Sequence, residues 1–217
     1  FIDLFENNFK VVLPEIYLVL ALCFLLMYGV VFSTSLSYNL PIITRGVAWL
    51  SIQTLFIALL LVLNNPIDHL VIFHGTLVHD FFTSMVKVFL LIAALCCISA
   101  SLNYLKVERL NAFEYFILVL IAILGMMLIV SSYDLISMYL AIEMQSLSLY
   151  VLAAFKKNSA FSTEAGLKYF ILGAFSSGLI LFGSSMVYGF TGSTNFEDIS
   201  RLCTGTYSSL DTVGSGV

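Results

Sequence analysis

The stretch DLISMYLAIEMQSLSLYVLAAF, residues 134–155, decides how this chain is read. It is long enough to cross a hydrocarbon core, which takes about 20 residues of helix. It also carries one carboxylate, Glu143, near its middle. An ionised side chain at the bilayer centre costs about 3 kcal/mol on insertion scales. At 1.5 Å per residue Glu143 lies about 14 Å from one end of the run and about 18 Å from the other, too deep to snorkel out. An acid at that depth points to the handling of protons or ions. The structural alternative is a glutamate bonded to Ser146 or to a neighbouring helix, as polar groups inside membranes often are.

The rest of the chain agrees with a membrane setting. It is 60% hydrophobic and 10% charged, with a mean hydropathy of +1.04, where a soluble domain carries about a quarter charged residues. The formal net charge of -4 gathers into no basic patch, which argues against nucleic-acid binding. Cys23, Cys96, Cys97 and Cys203 show no CxxC spacing or secretory framework, and the first three sit in apolar runs, where small buried hydrophobes are expected. The first ten residues, FIDLFENNFK, hold two acids and one lysine, the reverse of a basic signal region, so no cleavable signal is expected. No GxGxxG, P-loop, nucleophile elbow or HExxH pattern occurs. Nothing here is suited to nicotinamide or flavin, so redox chemistry belongs to another chain.

Six apolar runs are long enough, or nearly so, to span: 11–33, 46–63, 82–102, 113–132, 134–155 and 162–190. They are continuous rather than alternating, and an open sheet cannot live in lipid, so the fold class is an all-α integral membrane protein. The transmembrane region is expected over 1–192, with a polar tail or loop over 193–217. Between the second and third runs, NNPIDHLVIFHGTLVHD is broken by Pro66 and Gly75 and suits a surface hairpin or a short re-entrant segment. Its histidines, His69, His74 and His79, recur every five residues and share no face of a helix or strand, so a metal site is not expected. Arg45, Lys106, Arg109, Lys156 and Lys157 fall on one side of the spans, against Lys10 and Arg201 on the other. The positive-inside rule then turns the N-terminus away from the positive side.

Lys168 lies about 10 Å into the sixth run, where a lysine stem either snorkels back to the interface or meets Glu143 from the neighbouring span. Glu15, Asp134 and Glu164 fall near the starts of spans and are expected to be caps that suit the helix dipole. Lys87, about one turn inside the third span, is expected to snorkel. Ala174 and Gly178 form a small-xxx-small pair, and Gly173, Gly178 and Gly183 repeat every five residues, which suits close packing against more than one neighbour.

Two strings carry a family resemblance: YLAIEMQSLSLYV at 139–151 and STEAGLKYFILGAFSSG at 162–178. They resemble the subunit 2 family of mitochondrial NADH:ubiquinone oxidoreductase, the antiporter-like subunits of the respiratory complex I membrane arm. LPEI at 13–16, GVVFSTS at 29–35 and ERLNAFEY at 108–115 resemble the same family in its plant-type form. The resemblance covers most of 11–192.

The resemblance implies a helical bundle with inverted repeats and a hydrated axis of lysines and glutamates. Glu143 then matches the family's fifth-span glutamate, and Lys168 its supporting sixth-span lysine, together a proton or charge relay. It implies that NADH, FMN, iron–sulfur clusters and ubiquinone are used by other subunits. Its partners are other membrane-arm subunits and membrane lipids. The family continues into a broken seventh helix bearing the central lysine, then a second repeat. The chain therefore corresponds to the N-terminal part, and the remaining spans are expected either on a companion polypeptide of a split subunit or further along the same polypeptide. Two rivals stand beside this reading: a purely structural assembly role in the same complex, and a component of a Na⁺/H⁺ antiporter.

Overall fold

In a computed structural model the described residues are 2–33, 40–65, 69–73, 75–107, 113–156 and 158–204. Six long helices dominate: α1 (Ile2–Ser33), α2 (Leu40–Leu63), α3 (Phe81–Val107), α4 (Glu114–Ser131), α5 (Leu135–Ala153) and α6 (Ala160–Thr191). Each contains a segment long and apolar enough to cross a membrane, beginning at Lys10 in α1 and at Thr44 in α2. The all-α, six-span bundle is therefore present. A short helix, α7 (Phe196–Cys203), follows within the segment read from sequence as a polar loop. Asn195 caps it, accepting from the Glu197 N–H at 2.9 Å, and acids in its first turn and Arg201 in its last suit its dipole.

The centre of the bundle is α4, which packs against α1, α2, α3 and α5. Its sequence EYFILVLIAILGMMLIVS is apolar on all sides, as a helix surrounded by others should be. Leu120, Leu124 and Met127 of α4 join Leu18, Leu25, Leu55, Leu91 and Ile98 from the first three helices in one buried cluster. Lipid tails are as apolar as leucine, so this cluster is held by close packing rather than by escape from water. At Gly125 the fit reaches the backbone: an added Cβ would lie 3.0 Å from the main-chain nitrogen of Gln145 on α5.

The segment between α2 and α3 is the expected hairpin, with β1 (Leu70–Ile72) antiparallel to β2 (Leu77–His79). It takes part in a knot of backbone hydrogen bonds at one end of the bundle. The Tyr133 N–H donates to the Thr76 carbonyl at 2.9 Å, Leu135 to Thr194 at 3.0 Å and Phe196 to Tyr133 at 3.2 Å. Asn195 Nδ2 donates to the Gly75 carbonyl at 2.9 Å. Gly75 has φ +87°, and a Cβ there would meet Asn195 Nδ2 at 2.5 Å, so both backbone and contact call for glycine. The hairpin, the α4–α5 turn and the start of α7 thus lie together at this end. Arg45 and Lys156 lie at the other. Arg109, Lys157 and His74 fall outside the described residues.

Helix α6 differs from the other five. It packs on α5, where Gly166 lies against Ala154 and Gly173 against Tyr150. Only Gly166 is buried, and Phe161, Leu172, Phe175, Phe182 and Phe190 are bare. Gly178 and Gly183 face open space, so of the five-residue repeat Gly173 alone makes a close approach. The cysteines also differ from expectation. Cys23, Cys96 and Cys97 are free and exposed on outward helix faces rather than packed inside. A thiol is apolar enough to face lipid tails, so an apolar run alone does not place it in the core.

Candidate functional site

Glu143 sits eight residues into α5, about 12 Å from the knot end along the helix axis. The contact of Gly125 with Gln145 sets the α4–α5 register and places Glu143 level with the fully buried Met127. Its carboxylate oxygen Oε1 is buried and has no hydrogen-bond partner among the described residues. The Ser146 hydroxyl donates instead to the main-chain carbonyl of Glu143, at 3.0 Å. That bond is local to the helix and does not engage Oε1. Glu143 as a whole is half-buried, and a buried polar atom without a hydrogen bond is costly to keep.

Lys168 is elsewhere. Gly166 and Ala154 touch, which fixes the antiparallel α5–α6 register and leaves Glu143 and Lys168 about 13 Å apart along the helix axes. Lys168 Nζ bonds Glu164 Oε1 at 2.5 Å, one turn back toward the start of α6, with both side chains exposed. The lysine therefore reaches back along its own helix, and Glu164 is its partner rather than a cap. The α6 N-cap is Ser159, which makes no side-chain cap bond.

A charged pair that the sequence did not suggest lies across the bundle. Glu15 Oε1 of α1 accepts from Lys87 Nζ of α3 at 2.5 Å, and their side chains are 7% and 4% exposed. The expectation of a cap at Glu15 fails because α1 begins at Ile2 and runs through Pro14, leaving Glu15 well inside the helix. The expectation of a snorkelling Lys87 fails because its face of α3 turns to α1 rather than to lipid. Only the tertiary structure, which brings together two residues 72 apart in sequence, reveals the pair. A hint was available, since Glu15 and Lys87 each stand in an apolar run. Glu15 Oε2, like Glu143 Oε1, is buried without a partner among the described residues.

Asp134 does cap α5, accepting from the Ile136 N–H at 3.2 Å. His79 is buried, with Nε2 3.3 Å from the Ser84 hydroxyl, while His69 lies 3.5 Å from Asp80. The two histidines thus have separate partners. Among the described residues no three His, Cys, Asp or Glu side chains are grouped to hold a metal. In the knot, burial and the Glu197 carboxylate push the Tyr133 phenol above its ordinary value of 10.0.

The chain is 50% identical over 203 residues to the NADH-ubiquinone oxidoreductase chain 2 of Marchantia polymorpha, covering 93% of this chain and 42% of the relative. The chain 2 protein of Arabidopsis thaliana is 46% identical over 203 residues, covering 92% of this chain and 40% of the relative. Over about 90% of its own length the chain is homologous to the chain 2/subunit N family of NADH–quinone oxidoreductases. A bacterial member, subunit N of Paramagnetospirillum magneticum, is 44% identical over 194 residues, which are 89% of this chain and 38% of that one. Residues 132–216 also match the family model described as NADH:quinone oxidoreductase/Mrp antiporter, TM.

Among solved structures, a chain of respiratory complex I from Thermus thermophilus with bound aureothin superposes with a TM-score of 0.67 at 28% identity. That match covers 84% of this chain and 38% of the other. A chain of an archaeal membrane-bound sulfane sulfur reductase shares the fold, with a TM-score of 0.65 at 19% identity over 91% of this chain and 40% of its own length. The chain thus spans about two fifths of the length of its relatives, and over that length it is a multi-pass membrane protein of this family.

Proposed function

We propose that this chain contributes to proton translocation in the membrane arm of respiratory complex I. NADH oxidation and ubiquinone reduction take place on other subunits, and the chain lies in the mitochondrial inner membrane. The observation that carries the reading is Glu143, a midspan carboxylate with a buried, unpartnered oxygen, in a chain homologous to the chain 2/subunit N family. Charge changes elsewhere along the arm shift the protonation or position of Glu143. Glu143 in turn biases a lysine supplied by the remaining spans of the subunit, opposite charges within a few ångströms favouring each other's ionised forms.

In this reading Lys168 is a supporting relay whose present partner is Glu164, and its distance from Glu143 requires an intermediate group or water between them. The bare apolar face of α6 suits the packing of further spans, from a companion polypeptide or from the same one.

The test is Glu143→Gln in the assembled complex, with proton translocation measured per NADH oxidised. A loss of at least half of the pumped protons at unchanged complex abundance supports the reading. A wild-type ratio refutes it. Reduced abundance with a wild-type ratio would leave the chain a purely structural role.

A further inference from the structure

Lys87 is six residues into α3 and so about 9 Å from its knot end, against about 12 Å for Glu143 on α5. The Glu15–Lys87 pair and Glu143 therefore occupy one layer of the membrane. Helix α4 packs against α1 and α3 and also against α5. At this level it presents the buried apolar side chains Ile123, Leu124 and Met127.

A buried ion pair is a poor device for holding helices together, because desolvation of the two charges offsets most of their attraction. Apolar residues of the same size would join α1 to α3 as well. The pair is also incomplete: Lys87 engages Oε1, and Oε2 is buried with no partner among the described residues. That oxygen is where a proton would bind without first displacing the lysine.

We propose that Glu15 is a second proton-exchanging carboxylate of this chain, with Lys87 as its counter-ion. A proton from the aqueous phase at the knot end binds Glu15 Oε2 and forms an O–H bond. The carboxylate becomes a neutral carboxylic acid, and the pair passes from zero net charge to the single positive charge of Lys87. Release of the proton to water restores the ion pair. The other titratable groups on the surrounding elements are few. Lys10 lies five residues back along α1 and Tyr17 two residues on, and His79 and Asp80 precede α3. Arg45 on α2, and Glu114 and Tyr115 on α4, stand at the far ends of their helices. The inference rests on the proton-handling reading of the chain but not on the role given to Glu143.

The experiment compares E15Q/K87M, E15Q and E143Q in the assembled complex. It reads abundance, protons pumped per NADH, and the NADH-induced infrared difference spectrum. The expected result for E15Q/K87M is near wild-type abundance with at least a twofold fall in protons per NADH. A protonated-carboxyl C=O band that shifts in deuterium oxide is expected in the wild type and absent in E15Q. Wild-type pumping by E15Q/K87M, or a carboxyl spectrum unchanged by E15Q, overturns the proposal. If E15Q/K87M fails to accumulate, the swapped pair E15K/K87E decides. Accumulation with lost pumping supports the exchange site, whereas restored pumping or renewed failure to accumulate reduces the pair to a structural clamp. A defect in E143Q with none in E15Q/K87M overturns this inference alone. No defect in either overturns the proton-handling reading of the whole chain.

Discussion

Replacing Lys87 by methionine removes one member of a pair whose charged atoms lie 2.5 Å apart with 4% and 7% of their side chains exposed. Glu15 is then a buried carboxylate with neither oxygen matched to a cation. Breaking a buried pair from one side costs about 3–5 kcal/mol, because the stranded charge retains its full desolvation penalty. Lys168 provides an internal control. It too lies 2.5 Å from a glutamate oxygen, but the side chains of Lys168 and Glu164 are 71% and 59% exposed and sit one turn apart on a single helix. An exposed pair of that kind is worth about 0.3–0.5 kcal/mol.

Equal geometry therefore predicts unequal consequences. A loss of 3 kcal/mol shifts an equilibrium by roughly a hundredfold, so K87M should reduce the assembled complex to a small fraction of wild type. K168M should leave it within about twofold, in line with a change of a few tenths of a kcal/mol. The assay is native electrophoresis of mildly solubilised membranes, with the complex quantified by mass spectrometry. Adding E15Q to K87M should restore most of the lost material, since a neutral amide leaves no uncompensated charge. Wild-type abundance of K87M, or a double variant no better than the single, would refute the argument from stranded charge.

Three further outcomes follow from other contacts. Gly166→Leu should loosen the α5–α6 contact by about 1–3 kcal/mol through overpacking, because even the first added carbon would lie 2.5 Å from Ala154 Cβ; a fall in the thermal midpoint of the solubilised complex checks it. Asp134→Ala should lower stability by about 0.5–2 kcal/mol through loss of the α5 N-cap, read as faster amide exchange at Ile136. For Tyr133 the native phenol is raised above the ordinary 10.0 of the unfolded chain. Below that value both states keep the proton, and above it the unfolded state loses the proton first. The stabilisation is therefore full below about pH 10 and is lost as pH rises through the native pKa. Amide exchange at Tyr133 and Phe196, corrected for its intrinsic pH dependence, should accelerate in that range in wild type and lose this added step in Tyr133→Phe.

Much of the architecture was legible in the chain itself. Six continuous apolar runs in a chain only 10% charged leave the helical bundle as the one backbone solution that satisfies every peptide group inside lipid. The breaks at Pro66 and Gly75 marked the hairpin, and Asp134 ahead of an apolar run marked a real cap. Glu143 stood out because nothing within reach along its own helix could neutralise it. The partnerships of the charges were not legible. Proximity to a span's start made Glu15 and Glu164 look like caps and Lys87 like a snorkelling lysine. Those readings depend only on distance to the nearest helix end, whereas burial depends on which face meets another helix. All six spans are so uniformly apolar that the sequence does not indicate those faces.

The sequence by itself therefore determined the class of fold, the number of spans and the depth of Glu143 within its span, because these follow from length, composition and a rise of about 1.5 Å per residue. Only the tertiary structure decided which charges meet. It brought Glu15 to Lys87 across 72 residues, kept Lys168 with Glu164, and left Glu143 with a buried oxygen unpaired. Helix rotation and register set these encounters. They are fixed by close contacts such as Gly125 on Gln145 and Gly166 on Ala154, where the absence of a side chain lets two backbones approach.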